Sequence, residues 1–128
     1  MRTGVAPMAV KASFDHVHIL TDDVDHMVAT YKATFGAVEL RRLPRGENSY
    51  MVHLALGSAR IVVSPSEEPG TRVDHIALTT PDLQGAADGI VASGGEIVRP
   101  KNDAGPYRTV FVRDAQGMVI ELVDPPTA

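Results

Sequence analysis

Asp15-His16-Val17-His18-Ile19-Leu20-Thr21 returns, fifty-nine residues later, as Asp74-His75-Ile76-Ala77-Leu78-Thr79-Thr80. Without a gap the match runs on through Asp23 and Asp82, Ala33 and Ala92, Gly36 and Gly95, and Gly46 and Gly105. The same offset lays Arg60-Ile61-Val62-Val63 on Val119-Ile120-Glu121-Leu122. An internal repeat settles architecture before propensity does. It also points to chemistry, because matching positions meet about a pseudo-two-fold axis.

Around this repeat the elements fall in one order, twice. Phe14–Thr21 is apolar and β-branched enough for a strand. Asp22-Asp23 caps a helix, with Val24, Met27, Val28, Tyr31 and Phe35 at helical spacing and Gly36 as its stop. Ala37–Leu43, Ser49–Leu56 and Ala59–Ser64 read as three further strands. In the second half Arg72–Thr79 is a strand, Leu83–Ser93 a helix ended by Gly94-Gly95, and Glu96–Arg99 a strand. Lys101–Pro106 reads as a loop, and Tyr107–Arg113 with Met118–Val123 as a hairpin. The expected organisation is a flexible arm (1–13), a βαβββ module (14–66), a linker (67–71) and a second βαβββ module (72–125). The fold class is α+β: two paired βαβββ modules whose sheets curl into a half-open mixed β-barrel, with the helices outside and a cavity inside.

The bulk properties narrow the function. The chain has 128 residues, a net charge of −4, few aromatic residues and no tryptophan. No basic stripe for nucleic acid and no aromatic platform for bases is expected. The absence of cysteine removes thiolate chemistry and fits a cytoplasmic, reducing setting. No stretch approaches the roughly 20 apolar residues of a membrane span, and the first thirteen residues lack the apolar run of a signal segment.

Strand alternation selects the chemistry. His16 and His18 share one face of the first strand, His75 and Ala77 the matching face of the fifth, and Glu121 a face of the last. A carboxylate between Ile120 and Leu122 is costly to bury alone. Two repeated imidazoles and that carboxylate suggest one divalent metal ion (Fe2+, Mn2+, Zn2+, Ni2+ or Co2+) on His16, His75 and Glu121. Symmetry provides a fourth position, and Val62 fills it. His18 is a candidate base, a fourth ligand or cavity lining. His53, Tyr107 and Arg108 are candidate substrate contacts, against the plainer reading of His53 as an exposed strand residue. His26 is expected in solvent. Arg41, Arg42 and Arg45 can receive an anion, or form a solvated strand edge.

The repeat, the two Asp-His strand starts and the ending Asp114-Ala115-Gln116-Gly117-Met118-Val119-Ile120-Glu121-Leu122 resemble the vicinal oxygen chelate superfamily. Tyr31-Lys32-Ala33-Thr34-Phe35-Gly36 resembles that family's helix end, with Thr30 and Phe35 as departures, and Ala115 stands where proline is usual. The resemblance runs from about Phe14 to Pro125. It implies the paired-module fold, metal ligands at His16, His75 and Glu121, a homodimer, and a small substrate that chelates through adjacent oxygens. Members with four protein ligands carry Glu or Gln where this chain has Val62. The implied activity is proton transfer of the glyoxalase-like lyase, isomerase or epimerase kind. The alternatives are extradiol-type dioxygenation on Fe(II) or Mn(II), for which two histidines and one carboxylate are also suited, and metal-free drug binding.

Overall fold

The computed structural model describes residues 9–127, and the chain divides into two compact units. Residues 1–8 of the expected arm lie outside the described residues. The elements follow the order β1 (Ser13–Thr21), α1 (Val24–Phe35), β2 (Val38–Pro44), β3 (Tyr50–Leu56), β4 (Ala59–Pro65), β5 (Thr71–Thr79), α2 (Leu83–Ala92), β6 (Glu96–Asn102), β7 (Arg108–Arg113) and β8 (Val119–Asp124). The fold class is α+β, with parallel and antiparallel strand pairs and two helices.

One unit is Asp15–Ile76, with strand order β2-β3-β4-β1-β5. β1 runs parallel to β4, while β2, β3 and β4 are antiparallel neighbours. Helix α1 begins where the Asp23 carboxylate accepts the His26 backbone N–H. It ends at Gly36, whose φ of 71° lies in the left-handed region that glycine enters without a Cβ clash. Val28 of α1 packs on Ala37, Val52, Leu54 and Val63, with Met27, Tyr31 and Ile61 around them. This cluster fixes the faces of the sheet. Val52, Leu54, Ile61 and Val63 look toward the helix, so Met51, His53, Arg60, Val62 and Ser64 look the other way. Val17 lies opposite Ile61 on the helix side, and His18 lies opposite Val62 on the far side.

The other unit comprises Met1–Phe14 and Ala77–Ala128, described here from residue 9 to residue 127. β6, β7 and β8 form an antiparallel ribbon. Helix α2 begins at Asp82, whose carboxylate accepts the Gly85 N–H. Leu83 and Ala87 are its buried residues. Gly95 allows a close approach: a Cβ there would stand 2.3 Å from the Arg113 carbonyl oxygen. Ala9, Val10 and Ala12 line an apolar groove with Leu78, Ile90, Ile120 and Leu122. Ile120 and Leu122 therefore take the α2 side of β8, and Glu121 takes the opposite side.

The expected elements match the observed ones within a few residues. The largest difference is β6, which runs on through Pro100 to Asn102 instead of ending at Arg99. Every residue of β6 is exposed and its pairing with β7 shifts register twice. A proline, which has no N–H to give, is compatible with such an edge strand. Among the described residues, no helix is long and apolar enough to cross a membrane.

Candidate metal centre

β1 and β5 of the first unit bring three imidazoles together. One ring nitrogen each of His16, His18 and His75 lies within 4.8 Å of the other two. The ring centroids of His18 and His75 are 4.7 Å apart, and those of His16 and His75 are 6.0 Å apart. His16 and His75 are each only 5% exposed. His16 and His18 share a face because two residues separate them on a strand.

Each of the repeated histidines is held by the acid that precedes it. His16 Nδ1 lies 2.6 Å from Asp15 Oδ2, and His75 Nδ1 lies 2.8 Å from Asp74 Oδ2. An ionised carboxylate only accepts, so Nδ1 carries the hydrogen in both rings and Nε2 keeps the lone pair. This is the arrangement by which carboxylates orient metal-binding imidazoles. The sequence places Asp15 and His16 on opposite faces, and alternation alone does not reveal that contact. Its available signal is the repetition of the Asp-His pair itself. His18 Nε2 shares a hydrogen bond of 2.7 Å with Ser64 Oγ, a partner that the sequence did not single out.

The donor set fits a divalent cation. Neutral imidazoles suit zinc, iron and nickel. Ligand nitrogens on a tetrahedral ion, with bonds of about 2.1 Å, stand about 3.4 Å apart, so a trio within 4.8 Å of one another must draw together by about an ångström to share one ion. The fourth position of the symmetric set is apolar: Val62 is 1% exposed and lies in register with His18.

The remaining candidates sort as follows. Glu121 lies on β8 in the second unit, half-buried and in register with Phe111. His53 is not the exposed strand residue that was the plainer expectation. It is 8% exposed, because the central strand β3 is covered on both faces. Burial, with help from the positive charges of Arg41 and Arg60, lowers its pKa from 6.5 to about 4, so its ring is neutral. Among the described residues, neither ring nitrogen of His53 has a hydrogen-bond partner. His26 is exposed on α1. Arg108 is ion-paired with Asp124 of the neighbouring strand, and Tyr107 is half-buried just before β7. The three arginines of β2 and the turn after it separate. Arg42 pairs with Glu39 and Asp25, and Arg45 reaches Met51 and the Pro44 carbonyl. Arg41 lies in register with His53.

Residues 13–122 match the family model described as the Glyoxalase/Bleomycin resistance protein/Dioxygenase superfamily. The chain belongs to that superfamily. Among similar proteins in it, a lactoylglutathione lyase of Arabidopsis thaliana is 28% identical over 125 residues, 86% of this chain and 43% of the relative. The chain spans about half the length of the curated relatives it matches. Two solved structures share the fold. Methylmalonyl-CoA epimerase from Mycobacterium tuberculosis superposes with a TM-score of 0.72 at 22% identity, covering 98% of this chain and 95% of that one. A Streptomyces coelicolor methylmalonyl-CoA epimerase in complex with 2-nitronate-propionyl-CoA does so with a TM-score of 0.68 at 23% identity, covering 90% and 97%. The glyoxalase-like fold is therefore the fold of this chain.

Proposed function

We propose that this chain is a divalent-metal-dependent enzyme that moves a proton on a small substrate chelating through adjacent oxygens, in the manner of a glyoxalase-like lyase, isomerase or epimerase. The observation that carries this reading is the trio of buried His16, half-buried His18 and buried His75, with a carboxylate behind two of its rings. The names of the similar lyase and epimerases support the same reaction class.

His16 and His75 would hold the cation, with Glu121 as the third ligand. The cation would supply Lewis acidity to adjacent substrate oxygens, which makes the neighbouring C–H more acidic. Asp15 and Asp74 keep the two rings in the tautomer that presents Nε2. His18 is assigned the proton transfer. Its ring stands beside His75, and its hydrogen bond to Ser64 holds its orientation. An imidazole held in position can both take and return a proton. Val62, where a carboxylate would serve as another base, leaves that task to a neighbouring strand.

Anaerobic purification followed by metal analysis, and wash-in of solvent deuterium with 2-oxoaldehyde hemithioacetals and acyl-CoA esters, tests the reading. One metal ion per chain is expected, lost in His16→Ala, His75→Ala and Glu121→Ala. His18→Gln should keep the metal and lose exchange. Metal lost in His18→Gln would make His18 a ligand instead. Oxygen uptake with catechols, without deuterium exchange, would replace proton transfer by dioxygenation.

A further inference from the structure

Arg41, His53 and Arg60 form a second polar group on the face of the first unit that carries the histidine trio. Arg41 of β2 is in register with His53 of β3, and His53 with Val62 of β4, which is in register with His18 of β1. Arg60, two residues before Val62, shares its face. A register shift between Glu39 and Arg41 breaks the alternation of β2. Such bulges re-aim single side chains. Here the break leaves Glu39 and Arg42 hydrogen-bonded to each other and puts Arg41 beside His53.

His53 is the unusual member. A buried imidazole with both ring nitrogens unpartnered carries a desolvation cost that native cores seldom leave in place. Its ring N–H can only be satisfied by an acceptor. The charged groups that act on it most strongly are the Arg41 and Arg60 cations, which cannot accept, and the Asp15 carboxylate, which acts least, is already engaged by His16. An acceptor brought from outside has to be compatible with both arginines, and an oxyanion is. Arg41 is exposed, and its long side chain can swing to admit one.

We infer that Arg41, Arg60 and His53 form a subsite for an oxyanion on the substrate, a carboxylate or a phosphate remote from the chelating oxygens. The subsite rests on the proposed function, because it takes the histidine-bearing face as the substrate face. It narrows the substrate class to anions. The guanidinium groups supply charge and forked donors to the oxygens, and the neutral His53 ring donates one N–H without adding charge of its own.

Calorimetric titration with malonate, inorganic phosphate and uncharged malonamide tests this, with the ring C–H resonances of His53 followed in parallel. Saturable one-to-one binding of malonate or phosphate is expected, with a shift of the His53 signals and no response to malonamide. Arg41→Gln and Arg60→Gln, both expected to fold, should each weaken anion binding at least about tenfold. A preference for phosphate would name a phosphoryl group, and a preference for malonate a carboxylate; either supports the subsite. No anion binding, equal binding in the arginine variants, or equal binding of malonamide overturns it. The His16→Ala variant separates the two ideas. Anion binding retained there, in a protein that takes up no metal even as wild type, would fell the metal reading alone. Metal uptake and deuterium exchange without anion binding would fell the subsite alone.

Discussion

The two repeats agree at the strand starts and diverge along the row that runs from β2 to β4 and from β6 to β8. Both have an Asp-His pair, a helix-capping aspartate (Asp23 or Asp82) and a threonine hydroxyl that accepts the cap's N–H (Thr21 or Thr80). Both break register just before an arginine, between Glu39 and Arg41 and between Ile97 and Arg99. In the first repeat the row reads Arg41, His53, Val62. In the second it reads Arg99, Phe111, Glu121. Arg99 lies over the Phe111 ring at 4.2 Å and is satisfied there. Arg41 faces an imidazole that has no partner of its own. What the copies share builds the centre and the fold. What they do not share distinguishes a half that carries a carboxylate from a half that carries the groups proposed for recognition and proton transfer.

The largest effect should come from breaking what is common. His75→Ala, like His16→Ala, is expected to reduce bound metal from about one ion per chain to background by elemental analysis, and to abolish proton exchange. Asp15→Asn and Asp74→Asn should each weaken metal affinity about 10- to 100-fold in competition with a chelator, because the orienting acceptor is lost. Similar losses for the two variants would show that the halves contribute alike.

Converting one row into the other sharpens the contrast. His53→Phe gives the first repeat the aromatic of the second and removes two buried, unpartnered nitrogens. Urea denaturation should show a gain of about 1–3 kcal/mol. The same variant tests the pH dependence. The folded pKa of about 4 lies below the ordinary 6.5, so between those values the unfolded chain binds a proton that the folded chain refuses. Stability is therefore full above about pH 6.5 and falls as pH drops toward 4, by up to about 3 kcal/mol from this group. His53→Phe should flatten that part of the profile. The smallest expected effect is at the caps. Asp23→Ala and Asp82→Ala should each cost about 1 kcal/mol, since each removes one acceptor from a helix start.

The repeat made the fold legible because a period in sequence forces a period in structure, and strand alternation then assigned faces. His16 and His75 were found this way, and they meet. The proximity of His18 followed from the same rule. His53 was harder. An alternating strand shows which face a residue takes, but not whether that face is covered, and β3 turned out to be covered on both. Ser64 escaped notice because its bond to His18 crosses two parallel strands of distant sequence position. β6 was cut short at Pro100 because proline breaks interior strands, whereas an edge has no use for its missing N–H.

The contacts within Asp15-His16 and within Asp74-His75 have a consequence for how such a protein arises. A donor atom and the group that orients it are adjacent in the chain, on one strand. Duplicating the ancestral segment would copy half a binding site already tuned, with no distant substitution needed to make the copy work.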